Sequence, residues 1–184
     1  MTQPTALVPI ADGSEDIESV AIIDVLRRAG VAVTVASITP DQRLQITAAR
    51  GTRIEADALL QDCLGQTFDL IALPGGMPGA THLSESTALI ELLHQQKKSG
   101  RWYAAICASP AVVFATHQLD QDVATTSHPG FTERLANFRN ERVVVDKHCI
   151  TSQGPGTAIE FALTLVEKLL GKEKREQVAA PMVL

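Results

Sequence analysis

Short apolar segments of strand length alternate along this chain with longer segments of helical periodicity, and this alternation limits the fold more than any other feature. The runs 6–11 and 31–38 are almost entirely apolar, which is typical of buried strands. Between them, the segment 14–29 starts with polar and acidic residues and ends just before Gly30, as a helix would. The chain therefore opens with a strand–helix–strand unit.

The same alternation continues through the rest of the sequence. Further strands are predicted at 44–47, 53–57, 68–73, 102–106, 123–126, 142–146 and 149–151, and helices at 85–98, 110–117, 156–170 and 172–178. Pro9 cannot donate a backbone hydrogen bond, which indicates an edge strand or a strand end. Right-handed crossovers between such strands produce a mostly parallel sheet with helices on both faces. Because neither a repeat nor a linker interrupts the pattern, we predict one α/β domain over residues 1–184.

Composition and charge argue against several classes of function. The net charge of −5 and the pI near 5.5 do not suit a nucleic-acid-binding surface. No segment approaches the roughly 18 apolar residues of a membrane span, and residues 1–4 carry no basic leader. The three cysteines are odd in number and widely spaced, which predicts free thiols in the cytoplasm and no metal site.

Cys107 is the strongest candidate for a reactive residue. It lies where the predicted strand 102–106 ends, and Ser109 and Pro110 suit the N-cap and the first position of a following helix. A helix N-terminus favours the thiolate, and ligands of open α/β sheets bind beyond the carboxyl ends of the strands. The alternative is an inert, buried cysteine, and we interpret Cys63 and Cys149 in that way.

Three other features could accompany this thiol. Glu18 is aligned with the apolar stripe of the helix 14–29, so burial would raise its pKa and suit it to carry a proton; alternatively, it reaches solvent. Glu15 and Asp16 are interpreted as acids that complement the helix dipole. The turn Pro74-Gly75-Gly76 could offer backbone N–H groups to an oxyanion, although glycine-rich turns are common. His128 follows a predicted strand and could orient a nucleophile or be a surface residue.

Six sequence blocks match a known family in order. The chain resembles the ThiJ/PfpI superfamily, in particular the branch that contains the Parkinson-disease-associated protein and the bacterial YajL-type proteins. The matching blocks are Gly13-Ser14-Glu15-Asp16-Ile17-Glu18, Arg27-Arg28-Ala29-Gly30, Leu73-Pro74-Gly75-Gly76, Ala104-Ala105-Ile106-Cys107-Ala108, Thr151-Ser152-Gln153-Gly154-Pro155-Gly156-Thr157 and Ala180-Pro181-Met182-Val183-Leu184. They span nearly the whole chain.

The resemblance implies a flavodoxin-like three-layer sandwich that forms a homodimer. It places Cys107 in a strained nucleophile elbow, where a protonated Glu18 would hydrogen-bond the readily oxidised thiolate. It also implies oxyanion-binding amides at Gly76 and Ala108 and a site histidine at His128. The protease-like branches carry a histidine directly after the cysteine, whereas this chain has Ala108, and Glu55 stands where the Parkinson-associated protein has a second reactive cysteine.

The resemblance leaves two functions open. The first is a cofactor-free enzyme that converts 2-oxoaldehydes such as methylglyoxal or glyoxal, or removes their early adducts from proteins and thiols, with Cys107 as the nucleophile and Glu18 as the proton carrier. The second is a redox-sensing stress protein or chaperone in which oxidation of Cys107 is the signal. A thiol peptidase or amidase is a third reading, which Ala108 disfavours.

Overall fold

The computed structural model describes residues 3–184; Met1 and Thr2, which belong to the predicted domain and amino-terminal segment, lie outside the described residues. Nine strands are assigned within this range: β1 (Thr5–Ile10), β2 (Ala32–Ser37), β3 (Gln45–Thr47), β4 (Arg53–Glu55), β5 (Ala58–Leu59), β6 (Leu70–Leu73), β7 (Trp102–Ile106), β8 (Val143–Asp146) and β9 (Cys149–Ser152). Seven of them form one sheet in the order β5-β2-β1-β6-β7-β9-β8, and β3 and β4 form a separate antiparallel hairpin. Only the pair β8–β9 is antiparallel within the main sheet.

Helices cover both faces of the sheet, as the alternation predicted. The α-helices are α1 (Asp16–Arg28), α2 (Gly79–Glu85), α3 (Thr87–Lys98), α4 (Ala158–Leu170) and α5 (Lys172–Ala179). Short 3₁₀ turns occupy Leu60–Cys63, Pro129–Arg134, Pro155–Thr157 and Ala180–Met182, and a π-helical turn occupies Pro110–Ala115. The predicted mostly parallel, three-layer α/β fold is confirmed.

Two hydrophobic cores lie on opposite faces of the sheet because side chains alternate along each strand. In β1, Ala6 and Val8 belong to the core that α1 and α4 cover, whereas Leu7 belongs to the core that α3 and the π-helical turn cover. In β7, Ile106 faces the first core and Tyr103 the second. The carboxyl ends of the central strands therefore lie between two packed layers, and the turns that follow these strands carry the candidate site.

Several predicted elements differ from the observed ones. The segment 123–126 is not a strand; only an isolated bridge joins Thr125 to Phe138, because Thr125 bonds an irregular loop instead of a strand. Pro9 lies in β1, an interior strand of the sheet, so the edge-strand alternative is wrong. It is the penultimate residue of β1 and lies beyond the residues that pair with β6, which agrees with the strand-end alternative. The predicted helix 85–98 starts at Thr87, because the Ser86 hydroxyl accepts the Leu89 N–H and caps it.

No helix among residues 3–184 combines the length and the apolar character that a membrane crossing needs.

Candidate active site

Cys107 lies in a tight elbow between β7 and the π-helical turn. Its φ angle is 65°, in the left-handed region that non-glycine residues rarely occupy, at a cost of about 1–3 kcal/mol. Two hydrogen bonds hold this conformation: its N–H donates to the Ser152 carbonyl at 3.0 Å, and its carbonyl accepts the His128 N–H at 2.8 Å. The strained elbow that the resemblance implied is present.

Ser109 does not cap a helix, contrary to the prediction. Its φ and ψ angles are already helical, and its hydroxyl donates to the Pro74 carbonyl at 2.5 Å. The helical segment after the elbow is a single π-helical turn of six residues, Pro110–Ala115. The predicted cap at Ser109 is therefore wrong, whereas the helix predicted at 110–117 is present as this shorter π-helical turn.

Glu18 is completely buried in the first turn of α1, which confirms the prediction that it follows the apolar stripe. One carboxyl oxygen, Oε2, accepts the Gly75 N–H at 2.7 Å. The other, Oε1, is buried and has no hydrogen-bond partner among the described residues. Burial raises the pKa of Glu18 to about 7; the Gly75 N–H and the Cys107 thiol lower it in part, and the charge of Glu15 raises it.

The thiol of Cys107 is not acidic in this environment, and the prediction of a low-pKa cysteine is wrong. Only 9% of the residue is exposed, and burial together with the neighbouring Glu18 raises the pKa of Cys107 to about 12. The backbone N–H groups of Gly76 and Ala108 act in the opposite direction and lower this pKa. Because the two side chains interact, they titrate as a pair.

The turn Gly75-Gly76 approaches the two side chains so closely that no side chain fits there. A Cβ atom on Gly75 would lie 2.6 Å from Cys107 Cβ and 2.8 Å from Glu18 Oε2. Gly76 has a φ of 88°, and its Cβ would lie 2.5 Å from the Glu15 nitrogen. The glycines let the backbone amides reach the site, which is the arrangement that oxyanion binding requires.

Ala108 and His128 complete the surroundings of the elbow. The Ala108 side chain is buried against Ala80, Val112 and Phe131. His128 is exposed; its backbone N–H binds the Cys107 carbonyl, whereas its ring Nδ1 accepts the Gly130 N–H at 3.1 Å. The neutral ring therefore carries its proton on Nε2. The structure joins His128 to the elbow through its backbone, and a chemical role for its ring stays a prediction.

Sequence reasoning missed the part that Glu15 plays beside Glu18. Glu15 is the N-cap residue of α1, and its Oε2 accepts the Glu18 N–H at 2.8 Å. A glutamate is an unusual N-cap, since Ser, Thr, Asp and Asn are preferred there, and that was the available signal. The predicted first-turn acid Asp16 instead accepts the N–H groups of Arg50 and Thr52 from the β3–β4 hairpin.

Comparison with known proteins places this fold and elbow in one family. A family model described as the DJ-1/PfpI family matches residues 4–168, and the chain belongs to this family. It is 42% identical over 190 residues to the Parkinson disease protein 7 homolog of Danio rerio, covering 100% of this chain and 99% of that protein. It is 38% identical over 185 residues to a protein of Caenorhabditis elegans named glutathione-independent glyoxalase DJR-1.2, covering 99% and 97%.

Solved structures agree with this assignment. A structure of oxidised DJ-1 from Toxoplasma gondii superposes with a TM-score of 0.95 at 43% identity, covering 98% of both chains.

The chain spans only 41% and 46% of the length of two DJ-1 homologues of Arabidopsis thaliana, to which it is 44% and 43% identical. These comparisons assign the chain to the DJ-1/PfpI family.

Proposed function

We propose that this protein converts 2-oxoaldehydes such as methylglyoxal and glyoxal to 2-hydroxy acids, with Cys107 as the nucleophile and without a cofactor. The observation that carries the proposal is the buried Cys107–Glu18 pair, which two backbone amides face. A carboxyl whose pKa is about 7 exchanges protons readily at neutral pH. The glyoxalase name of the Caenorhabditis elegans relative supports the same chemistry.

The raised pKa of the thiol determines how the first step runs. Ionised Glu18 takes the proton from the Cys107 thiol while the sulfur forms a bond to the aldehyde carbon. The carbonyl oxygen becomes negatively charged and accepts hydrogen bonds from the N–H groups of Gly76 and Ala108. Glu18 then returns the proton to this oxygen. The product is a hemithioacetal, and Glu18 is a carboxylate again.

The second step moves a proton between two carbons of the bound substrate. Glu18 takes the proton from the former aldehyde carbon and leaves an enediolate with its negative charge on the oxygen of the neighbouring carbon. The hydroxyl proton of the first carbon moves to this oxygen while Glu18 delivers its proton to the neighbouring carbon, which gives the thioester of a 2-hydroxy acid. The first carbon is oxidised and the second reduced, so no external oxidant is needed. Water then cleaves the resulting thioester, adding hydroxyl to the acyl carbon and a proton to the Cys107 sulfur. The exposed His128 assists this hydrolysis. The net change is the addition of one water molecule.

The same nucleophile could act on early adducts of 2-oxoaldehydes with proteins or thiols. In such an adduct, the aldehyde carbon already carries a nitrogen or sulfur substituent, and attack by Cys107 would displace it and lead into the same hemithioacetal. We propose free aldehydes and glycated proteins as alternative partners of one site. The two are distinguished by the release of an unmodified amine or thiol from a defined adduct.

Redox sensing is the second candidate function. The similar Toxoplasma gondii protein has been solved in an oxidised form, and the N–H groups of Gly76 and Ala108 that face the Cys107 sulfur would stabilise an oxidised sulfur in this chain. In this reading, oxidation of Cys107 is the signal and switches on chaperone activity. Peptidase activity is disfavoured, since Ala108 supplies no imidazole beside the thiol.

We also propose that the protein forms a cytoplasmic homodimer through α1. Ile17 and Val20 are 57% and 49% exposed, on the opposite side of α1 from the buried Ile22 and Val25. Neighbouring exposed aliphatic residues on one helix face are typical of an interface.

A steady-state assay with methylglyoxal tests the enzymatic proposal directly. Cys107→Ser should abolish the formation of lactate, whereas Cys63→Ala, a change at a buried cysteine outside the site, should leave the turnover number near that of the native protein. Full activity of Cys107→Ser would rule out the mechanism. If turnover is negligible in the native protein, and mild peroxide modifies Cys107 and activates suppression of client aggregation, the redox function replaces it.

A further inference from the structure

Glu15 is an acidic side chain held in the interior beside the proton carrier. The residue is 8% exposed, and within residues 3–184 no lysine, arginine or histidine forms an ion pair with it. It is the N-cap residue of α1 and lies at the positive end of the helix dipole. The mechanism above does not use this carboxyl.

Hydrogen bonds fix Glu15 on every side. Its Oε2 accepts the Glu18 N–H at 2.8 Å, its own N–H donates to the Gly75 carbonyl at 2.9 Å, and its carbonyl accepts both the N–H and the hydroxyl of Ser19. The Gly75 N–H in turn donates to Glu18 Oε2. Glu15 and Glu18 therefore hold the two peptide groups on either side of the Gly75 Cα: Glu18 Oε2 binds the N–H of the Pro74–Gly75 peptide, and the Glu15 N–H binds the carbonyl of the Gly75–Gly76 peptide. The second of these peptides also carries the Gly76 N–H, so its position sets where that amide lies.

Few other charged groups act on Glu18. From the turn after β7 the titratable neighbour is Cys107, and the turn after β6 presents only the backbone of Gly75 and Gly76. The other acids of this region are occupied elsewhere. Asp12 forms an ion pair with Arg43, and its backbone carbonyl contacts the His82 ring. Asp16 accepts N–H groups of the β3–β4 hairpin. Helix α4 packs along α1, and its Glu160 forms an ion pair with Arg142.

We propose that Glu15 is a positioning residue of the Cys107 site, which holds the first turn of α1 against Gly75 and places a fixed negative charge next to Glu18 so that Glu18 can accept the thiol proton. This inference rests on the proposed function for its chemical meaning, because Glu18 is the proton carrier there. The physical basis is that a neighbouring like charge makes the ionisation of a buried carboxyl less favourable. The charge of Glu15 accordingly raises the pKa of Glu18.

The test follows the proton on Glu18 and does not depend on turnover. The ¹³Cδ resonance of Glu18 is titrated by NMR in protein labelled at glutamate, with Glu18→Gln used to assign the signal. Glu15→Gln retains an oxygen that can accept the Glu18 N–H but removes the charge. We expect its Glu18 midpoint to fall, because a neighbouring negative charge that raises the Glu18 pKa has been removed. Glu91→Gln, the same change at an exposed position of α3, should leave the midpoint unchanged.

A second pair of variants separates charge from helix capping. The variants Glu15→Asp and Glu15→Asn carry side chains of equal length, and both Asp and Asn are good N-cap residues. The two variants therefore differ in charge alone. The Asp variant should keep the higher Glu18 midpoint and the Asn variant should show the lower one, and this pair decides the question if Glu15→Gln does not fold. Equal Glu18 midpoints in the charged and neutral variants would overturn the proposal. Absence of methylglyoxal turnover in the native protein, with the difference in Glu18 midpoint present, would instead count against the enzymatic mechanism and leave the positioning role of Glu15 intact.

Discussion

The hydroxyl of Ser109 donates a hydrogen bond to the main-chain oxygen of Pro74 over 2.5 Å, and both groups are buried. Pro74 begins the turn after β6, and Ser109 lies two residues beyond the elbow after β7. These strands are neighbours in the sheet, so the bond joins two turns that parallel pairing has already brought together. This hydrogen bond holds the Gly75-Gly76 backbone close to Cys107.

Removal of this hydroxyl tests its contribution. Ser109→Ala leaves the Pro74 carbonyl buried without this donor, and we expect the free energy of unfolding to fall by about 1–3 kcal/mol. Chemical denaturation measures this loss. In Ser99→Ala the lost bond, to the Gln96 carbonyl, lies at the exposed end of α3, and the change should stay within about 0.5 kcal/mol. Equal effects of the two substitutions would contradict a special role for Ser109.

Gly75→Ala should disrupt both the fold and the site. The added Cβ would lie 2.6 Å from Cys107 Cβ and 2.8 Å from Glu18 Oε2, so the turn must move away from the pair. We expect a loss of about 2–3 kcal/mol of stability, measured by chemical denaturation. Gly156→Ala is the matched control, because its Cβ would meet no atom within 4 Å. Native stability of Gly75→Ala would mean that this turn is less tightly constrained than its contacts indicate.

The pH dependence of stability reports the burial of Glu18. Its pKa is about 7 in the folded protein and near 4.5 when unfolded, so between these values the folded state keeps a proton that the unfolded state has lost. This contribution is fully present below pH 4.5 and is lost as the pH rises through 7, a change of about 3 kcal/mol. The difference in unfolding free energy between the native protein and Glu18→Gln should decrease by that amount over this interval.

The control for this measurement is Glu91→Gln, the same substitution at an exposed position of α3. A pH-dependent change for Glu18→Gln no larger than that of this control would show that Glu18 ionises in the folded state as it does in the unfolded chain.

The titration of Cys107 distinguishes two opposite views of the pair. Since ionised Glu18 raises the pKa of the thiol, Glu18→Gln should lower the midpoint of thiolate formation from its value of about 12. A protonated Glu18 that stabilises a thiolate, as the resemblance implied, would produce the reverse. Ultraviolet absorption of the thiolate, with Cys107→Ser as the blank for the other two cysteines, measures this midpoint. An increase on substitution would restore the acidic-thiol mechanism.

Association through α1 is tested by charge substitution. Ile17→Asp places a carboxylate in the proposed interface, and sedimentation equilibrium should then give a mass near 19.7 kDa, against twice that value for the native protein. Leu64→Asp changes a residue that is 42% exposed elsewhere and should leave the dimer intact. A monomeric native protein at micromolar concentration would refute the proposed homodimer.

Local sequence patterns predicted most elements but not the ones that depend on contacts between distant segments. The strand 102–106 was predicted at its observed bounds, because a short run of five apolar residues bounded by polar and turn residues has the length of a buried strand. The residues 123–126 look equally β-prone, yet their backbone bonds an irregular loop at Asn137 and Arg139. Ser109 matches a helix cap locally, but the Pro74 carbonyl, 35 residues earlier, takes its hydroxyl.

The sequence by itself determined the layered α/β fold and the candidacy of Cys107 and Glu18, because hydrophobic periodicity and family motifs are properties of neighbouring residues. Only the tertiary structure decided the protonation of the site. The pKa of each group depends on burial and on the distance to other charges, and these arise when α1, the Gly75-Gly76 turn and the elbow after β7 pack together. For this reason a thiol that its sequence context predicts to be acidic is instead a weak acid beside a carboxyl that titrates near neutral pH.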